Sequence, residues 1–229
     1  MKKVALFLTL AVACVSGAFA QKQTGGEKNI EVQFSPLGGN PISMSGIRLR
    51  MFNSESSAIR IGLFIGGNSS ETISQEADND NDLLELIDTD KEFGFSIRLG
   101  YEMHFAGTDR LSPYWGGEVS FGSTSTTMES MTQYDDDGDP KAYTMTEKGG
   151  TSSFGINAVA GCDFYFSDAI YMGAEIAFGF GRTKDKENEV TFVDAPDGFD
   201  DATSIEGNTT SSAWGPGVQG TLRLGWLFN

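Results

Sequence analysis

The sequence predicts an all-β chain that closes into an eight-stranded antiparallel up-and-down transmembrane β-barrel. Three observations predict it. Apolar and polar residues alternate with period two in eight segments, short and long connections between those segments alternate, and the polar face carries glycine and balanced charge instead of lysine.

Taken in order, residues 1–20 open with Lys2 and Lys3, run through an apolar stretch from Val4 to Val15, and end on Ala18-Phe19-Ala20. That is the pattern of a secretory signal peptide, leaving 21–229 as a single barrel domain. The apolar stretch is too short for a membrane helix, and no later segment offers the roughly 18 continuous apolar residues one needs. Loss of Cys14 with the signal leaves Cys162 alone, which excludes an internal disulfide framework. Cys162 itself is expected on the lipid-facing side, as a small hydrophobe.

The first strand alternates Ile30, Val32 and Phe34 with Glu31 and Gln33. The second sets Ile47, Leu49 and Met51 against Arg48 and Arg50, and the third sets Ile59, Ile61, Leu63 and Ile65 against Arg60, Gly62 and Phe64. The fourth, Phe93 to Phe105, faces Ser96, Arg98, Glu102 and His104 the other way and outlasts a typical soluble strand. In the fifth, Trp115, Val119 and Phe121 oppose Tyr114, Glu118 and Ser120. In the sixth, Phe154 to Phe166 oppose Asn157, Asp163 and Tyr165. The seventh opposes Ile170, Met172, Ile176, Phe178 and Phe180 to Tyr171 and Glu175, and the last opposes Leu222, Leu224, Trp226 and Phe228 to Thr221 and Arg223. Short turns are expected at 53–57, 106–110 and 167–169, and long loops at 68–91, 123–150 and 182–213. The only hint of helical patterning is Leu83-Leu84-Glu85-Leu86. Both ends of the domain fall on the short-turn side, the arrangement of barrels with periplasmic turns and termini and extracellular loops.

A secreted soluble sandwich or lipocalin-like barrel would also alternate. The two readings part on the polar face. A solvated face is rich in lysine, yet these strand interiors contain none, and Arg48, Arg50, Arg60, Arg98 and Arg223 are matched by Glu31, Glu102, Glu118, Asp163 and Glu175. Charges in a narrow lumen are costly unless paired, so these ten residues are expected to form an interior ion-pair network. An eight-stranded interior is just wide enough for side chains to fill it, which argues against a wide aqueous pore. Aromatic residues on the apolar face collect near both strand ends, as interfacial girdles do.

Leu111-Ser112-Pro113-Tyr114-Trp115-Gly116-Gly117-Glu118, Ile170-Tyr171-Met172-Gly173-Ala174-Glu175 and the closing Leu222-Arg223-Leu224-Gly225-Trp226-Leu227-Phe228 resemble the small outer-membrane β-barrel (OmpA-like, porin-like) family common in Bacteroidetes. The resemblance implies an outer-membrane location and insertion by the barrel assembly machinery, which reads an aromatic residue near the end of the last strand. Here Asn229 follows Phe228.

Acid outweighs base, with 32 Asp and Glu against 16 Lys and Arg and a formal net charge of −16, so nucleic acid is excluded as a partner. Most of the acid lies in the expected loops. Asp135-x-Asp137-Gly138-Asp139 places carboxylates at alternate positions, as hard-cation loops do, but lacks the sixth-position glycine and twelfth-position glutamate of an EF-hand. These three aspartates are weak metal candidates, and solvated loops are the expectation. His104 is the sole histidine and falls at the turn end, where it is expected to be a satisfied lumen or rim residue and not a catalytic base. With no histidine at the loop end, no Ser-His arrangement is expected there. The expected protein is therefore non-enzymatic and without a cofactor. It is a monomer among outer-membrane lipid, with a structural or surface-interaction role through its acidic loops. A narrow porin-like channel is the alternative.

Overall fold

The computed structural model describes residues 23–34, 44–77, 83–136, 139–196, 198–200, 202–204 and 209–228. The proposed signal segment lies outside these residues, as does the connection between the first two strands, which the sequence places around Gly38-Gly39-Asn40. Ten strands follow in order: β1 (Lys28–Phe34), β2 (Met44–Ser54), β3 (Ser57–Ala77), β4 (Leu83–His104), β5 (Leu111–Asp136), β6 (Asp139–Tyr165), β7 (Ile170–Asp185), β8 (Asn188–Val193), β9 (Ala202–Ser204) and β10 (Thr210–Phe228). Eight of them form a closed ring, in the order β5-β4-β3-β2-β1-β10-β7-β6, with β6 pairing back onto β5. The first and last strands close it, Ile30 opposite Trp226 and Val32 opposite Leu224. Closure leaves no unpaired edge, the condition for backbone to cross hydrocarbon as strands.

The ring is inside out relative to a soluble protein. Its largest fully buried side chains are Arg48, Arg50, Arg60 and Arg223, while Ile47, Leu63, Leu99, Trp115, Ile156, Ile176, Phe178 and Trp226 are exposed. In water that distribution would be unstable on both counts; in lipid it is favourable on both. The soluble reading is thereby excluded. The apolar band also has the right height. Phe95 to Phe105, along β4 and one residue past its end, is ten residue steps, roughly 33 Å along a strand, or about 25 Å once tilted by the usual 35–45°.

The long connections differ from expectation. The segments 68–91 and 123–150, read as loops, are instead continuations of the barrel strands. β3 and β4 stay paired from Ser57 opposite Met103 to Ala77 opposite Leu83. β5 and β6 stay paired from Leu111 opposite Phe164 to Asp136 opposite Asp139. Strands of 26 and 27 residues reach roughly 85 Å, far beyond the 9–11 residues that span a bilayer. Leu83-Leu84-Glu85-Leu86 is the start of β4, so its brief helical pattern is overridden by the ladder. In 182–213, β7 runs on to Asp185, β8 pairs with β6 and β9 with β8. Acidic, Ser/Thr-rich sequence suggests loop because it lacks an apolar face. A strand needs no such face when its neighbour continues the hydrogen-bond ladder.

A small aromatic cluster holds the distal flap. Tyr143 lies 6.0 Å from Tyr134, 6.3 Å from Phe192 and 5.2 Å from Phe199, ring centre to ring centre, and Phe192 meets Phe199 at 5.3 Å. The Tyr134 hydroxyl donates to the Asp194 carbonyl at 3.1 Å. Asp194 turns the chain just after β8 with φ 60°, a left-handed conformation that aspartate tolerates better than most residues.

Candidate functional site: an ion-pair layer across the lumen

Every strand of the ring contributes inward charge: Glu31 from β1, Arg48 and Arg50 from β2, Arg60 from β3, Glu102 from β4, Glu118 from β5, Asp163 from β6, Glu175 from β7 and Arg223 from β10. Period-two alternation aims them all at the axis, because each sits at the same parity as the others on its strand. Each of the four arginines meets three carboxylates. Arg48 reaches Glu31 at 3.0 Å, Glu175 at 3.2 Å and Glu118 at 3.7 Å. Arg50 reaches Glu102 at 2.5 Å, Asp163 at 2.7 Å and Glu31 at 3.7 Å. Arg60 reaches Glu102 at 2.9 Å and both Glu118 and Glu175 at 2.8 Å. Arg223 reaches Asp163 at 2.6 Å, Glu31 at 3.4 Å and Glu175 at 3.8 Å. None of the nine side chains is more than 7% exposed.

The desolvation cost of each ion is large and is offset only because every guanidinium is shared. Charge-assisted hydrogen bonds add to that. Tyr114 donates to Glu175 at 2.5 Å and Tyr171 to Glu31 at 2.7 Å. Arg50 also lies over the rings of Phe52 and Tyr114, at 5.1 and 5.3 Å, and Arg223 over Tyr114 at 5.1 Å. Glycines make room for these large groups. At Gly173 an added Cβ would meet both Arg223 and Asp163 at 2.5 Å, and at Gly225 it would collide with the Tyr171 ring.

Nine of the ten charged residues expected in the lumen thus meet in one layer. The tenth does not: Arg98 is half-buried and makes no hydrogen bond or ion pair with a described residue. It sits one inward position beyond Gly100, toward the ribbons, and its side chain rests against Gly62, out of reach of the carboxylates. Sequence reasoning also passed over the uncharged members Tyr114, Tyr171, Gln23 and Ser112. The inward parity of Tyr114 and Tyr171 is the signal that could have found the two tyrosines.

His104 is buried at the turn end. Its Nδ1 lies 2.9 Å from Ser112 Oγ and 3.1 Å from Gln23 Nε2, and its Nε2 lies 3.3 Å from Glu102 and 3.2 Å from Arg50. A Ser112-His104-Glu102 chain therefore exists at this mouth, beside a cavity of about 290 Å³. One feature opposes catalysis there: Ser112 is 1% exposed beneath Gln23, which donates to it at 2.8 Å. His104 reads as a satisfied member of the polar packing.

Beyond the layer, toward the ribbons, a cavity of about 480 Å³ is lined by Ser120, Ser153, Asn157, Thr183 and Ser211. Of the weak metal candidates, Asp137 and the side chains of Asp135 and Asp139 lie outside what the structure describes. Among the described residues no cluster of three or more His, Cys, Asp or Glu is placed to hold a metal.

A family model described as "Putative OmpA-OmpF-like porin family" matches residues 65–185. No curated protein sequence matches the chain. Two solved structures are similar in fold. Acinetobacter baumannii CarO aligns with a TM-score of 0.38 at 10% identity, covering 89% of this chain and 97% of that one. CarO2 of the same organism aligns with a TM-score of 0.36 at 12% identity, covering 90% and 99%. With a closed ring, an apolar exterior and a family match over more than half its length, the chain belongs to the OmpA-OmpF-like porin family of outer-membrane β-barrels.

Proposed function

We propose that this is a non-enzymatic barrel whose lumen is a closed, ion-paired plug and whose role is carried by the β-ribbons it raises outside the cell, with its turns and termini in the periplasm. The observation that carries this reading is the layer of four arginines and five carboxylates, drawn from all eight ring strands and buried throughout. A continuous water column would need a gap in that layer. Ion pairs this interlinked resist opening, because moving one arginine strands three carboxylates.

The ribbons suit contact with a protein or surface ligand. They are long, carry most of the acid, and expose backbone at the short edge strand β9. Outer-membrane lipid surrounds the ring, and the barrel acts in it as a monomer in this reading.

A narrow channel is the second reading, favoured by the porin-like family and by the 480 Å³ cavity on the ribbon side of the layer. Single-channel recording of the refolded chain in a planar bilayer separates the two. The plug predicts silence from the wild type at moderate voltage. Steady ohmic conductance that Glu118→Ala alters would replace it with a gated narrow pore.

A further inference from the structure

On one side of the barrel the outward face changes from apolar to cationic where the lipid band ends. Along β7 every second residue faces out, and after Ile176, Phe178 and Phe180 the next two are Arg182 and Lys184, both exposed. They stand roughly 5 and 10 Å beyond Phe180 once the strand is tilted, the depth of the headgroup layer. Neither pairs with a described residue. A third cation joins them. Lys186, just past the strand, donates from Nζ to Ser123 Oγ at 2.8 Å and to the Thr124 carbonyl at 3.2 Å, both on β5. The ladder sets Ser123 beside Ser152 and Ser152 beside Lys184, so the three cations cover the outward face from β5 to β7. Their outward neighbours are uncharged: Ser152 on β6, and Ser212 and Thr210 on β10. Lys184, Lys186 and Ser152 edge a hollow of about 430 Å³, which Asp185 and Glu187 also reach, Asp185 from a position of inward parity. The floor of the patch is aromatic. Phe180 faces Trp214 on β10, Phe154 lies opposite Arg182 and meets Phe121 at 5.2 Å between ring centres, and Trp214 is 83% exposed.

We infer that Arg182, Lys184 and Lys186 form a docking surface for the phosphate headgroup of a phosphorylated glycolipid in the leaflet around the base of the ribbons. The surface has the layering of such an amphiphile: an apolar band for acyl chains, an exposed tryptophan at the boundary, then hydroxyls and cations at headgroup depth. The band is already the barrel's lipid interface, and the patch continues it without a break. A guanidinium binds phosphate through a planar fork and each ammonium adds a point charge, so a neutral headgroup leaves all three without a counter-charge. In a chain of formal net charge −16, cations gathered at this depth are matched to an anion in the membrane, since the water-facing ribbons carry acid. The choice of a glycolipid rests on the ribbons standing outside the cell, as proposed above; the cationic surface itself does not depend on the plug.

The test is native mass spectrometry of the refolded full chain released from detergent micelles doped with phosphorylated lipid A, its dephosphorylated form or phosphatidylglycerol. The expected result is retention of the phosphorylated form over the dephosphorylated one by roughly thirtyfold, about fivefold for each of the two cations on β7. That preference should fall close to unity in the double variant Arg182→Gln, Lys184→Gln. Lys91→Gln, which removes an outward cation already facing Glu129, should leave it unchanged. A wild type that retains both forms equally overturns the site, and so does a preference that survives in the double variant. Displacement of the lipid by inorganic phosphate at equal concentration overturns it as well, because the anion alone would then be what is held. Phosphatidylglycerol retained ahead of phosphorylated lipid A, and released by the double variant, overturns the glycolipid and the outside placement of the ribbons together, and leaves the conductance test of the plug untouched. Should the double variant fail to refold, the wild-type comparison of the two lipid A forms decides alone.

Discussion

β5 lives in two worlds. From Leu111 to Phe121 its side chains alternate sharply, Tyr114, Gly116 and Glu118 buried and Trp115, Gly117 and Phe121 exposed; from Thr124 to Tyr134 most positions are half-buried and the alternation fades. The lower stretch is held by what lies on its two faces, lipid outside and ion pairs inside. The upper stretch has neither, and is held by its ladder to β6 and by the Tyr143 cluster. One strand can thus be stabilised by side chains at one end and by backbone pairing at the other. Damage should then be severe and global in the ring but mild and local in the ribbon.

Arg50→Met puts that contrast to its hardest test. Removing a cation from Glu102 and Asp163 leaves buried charge uncompensated and should cost about 3–5 kcal/mol of barrel stability, read from urea unfolding in micelles. A loss under about 1 kcal/mol would mean the layer is far wetter than its burial implies. Next in size is Leu99→Arg, near the middle of the apolar band, expected to cost about 2–4 kcal/mol as a charge facing hydrocarbon. An unchanged midpoint would remove Leu99 from the lipid face.

Tyr143→Ala should act only above the membrane. Losing three aromatic contacts should cost about 1 kcal/mol locally, freeing β8 and β9 to protease and hydrogen exchange while the ring unfolds at its wild-type midpoint. A fall in the ring's own midpoint would show that ribbon and barrel are one cooperative unit. Smallest of all is Lys91→Ala. Its partner Glu129 lies 3.5 Å away with both side chains well exposed, so the change should stay within about 0.5 kcal/mol.

How far the sequence could be read follows the same division. Where two environments act on alternate residues, the pattern announces itself: Arg48 and Arg50 between Ile47, Leu49 and Met51 state strand, face and lumen at once. Strand number, ring topology and nine members of the charge layer were legible on that basis. The ribbons were not, because Thr126-Thr127-Met128-Glu129-Ser130 has no preferred face when both sides meet water, and its strand state depends on Lys148 and Gly149 across the ladder. Arg98 failed for a subtler reason. Parity says which way a side chain points and nothing about its height along the axis, so five arginines and five carboxylates looked like one set.

The chain's own pattern of residues determined that it crosses a membrane as strands, since period-two alternation with glycine and charge on one face has a stable home only with lipid on the other. Tertiary structure decided which charges meet, that Arg98 stands apart from them, and that the acidic stretches rise as ribbons. Those outcomes depend on register and on the stagger of strands around the ring, and both are set between segments far apart in sequence.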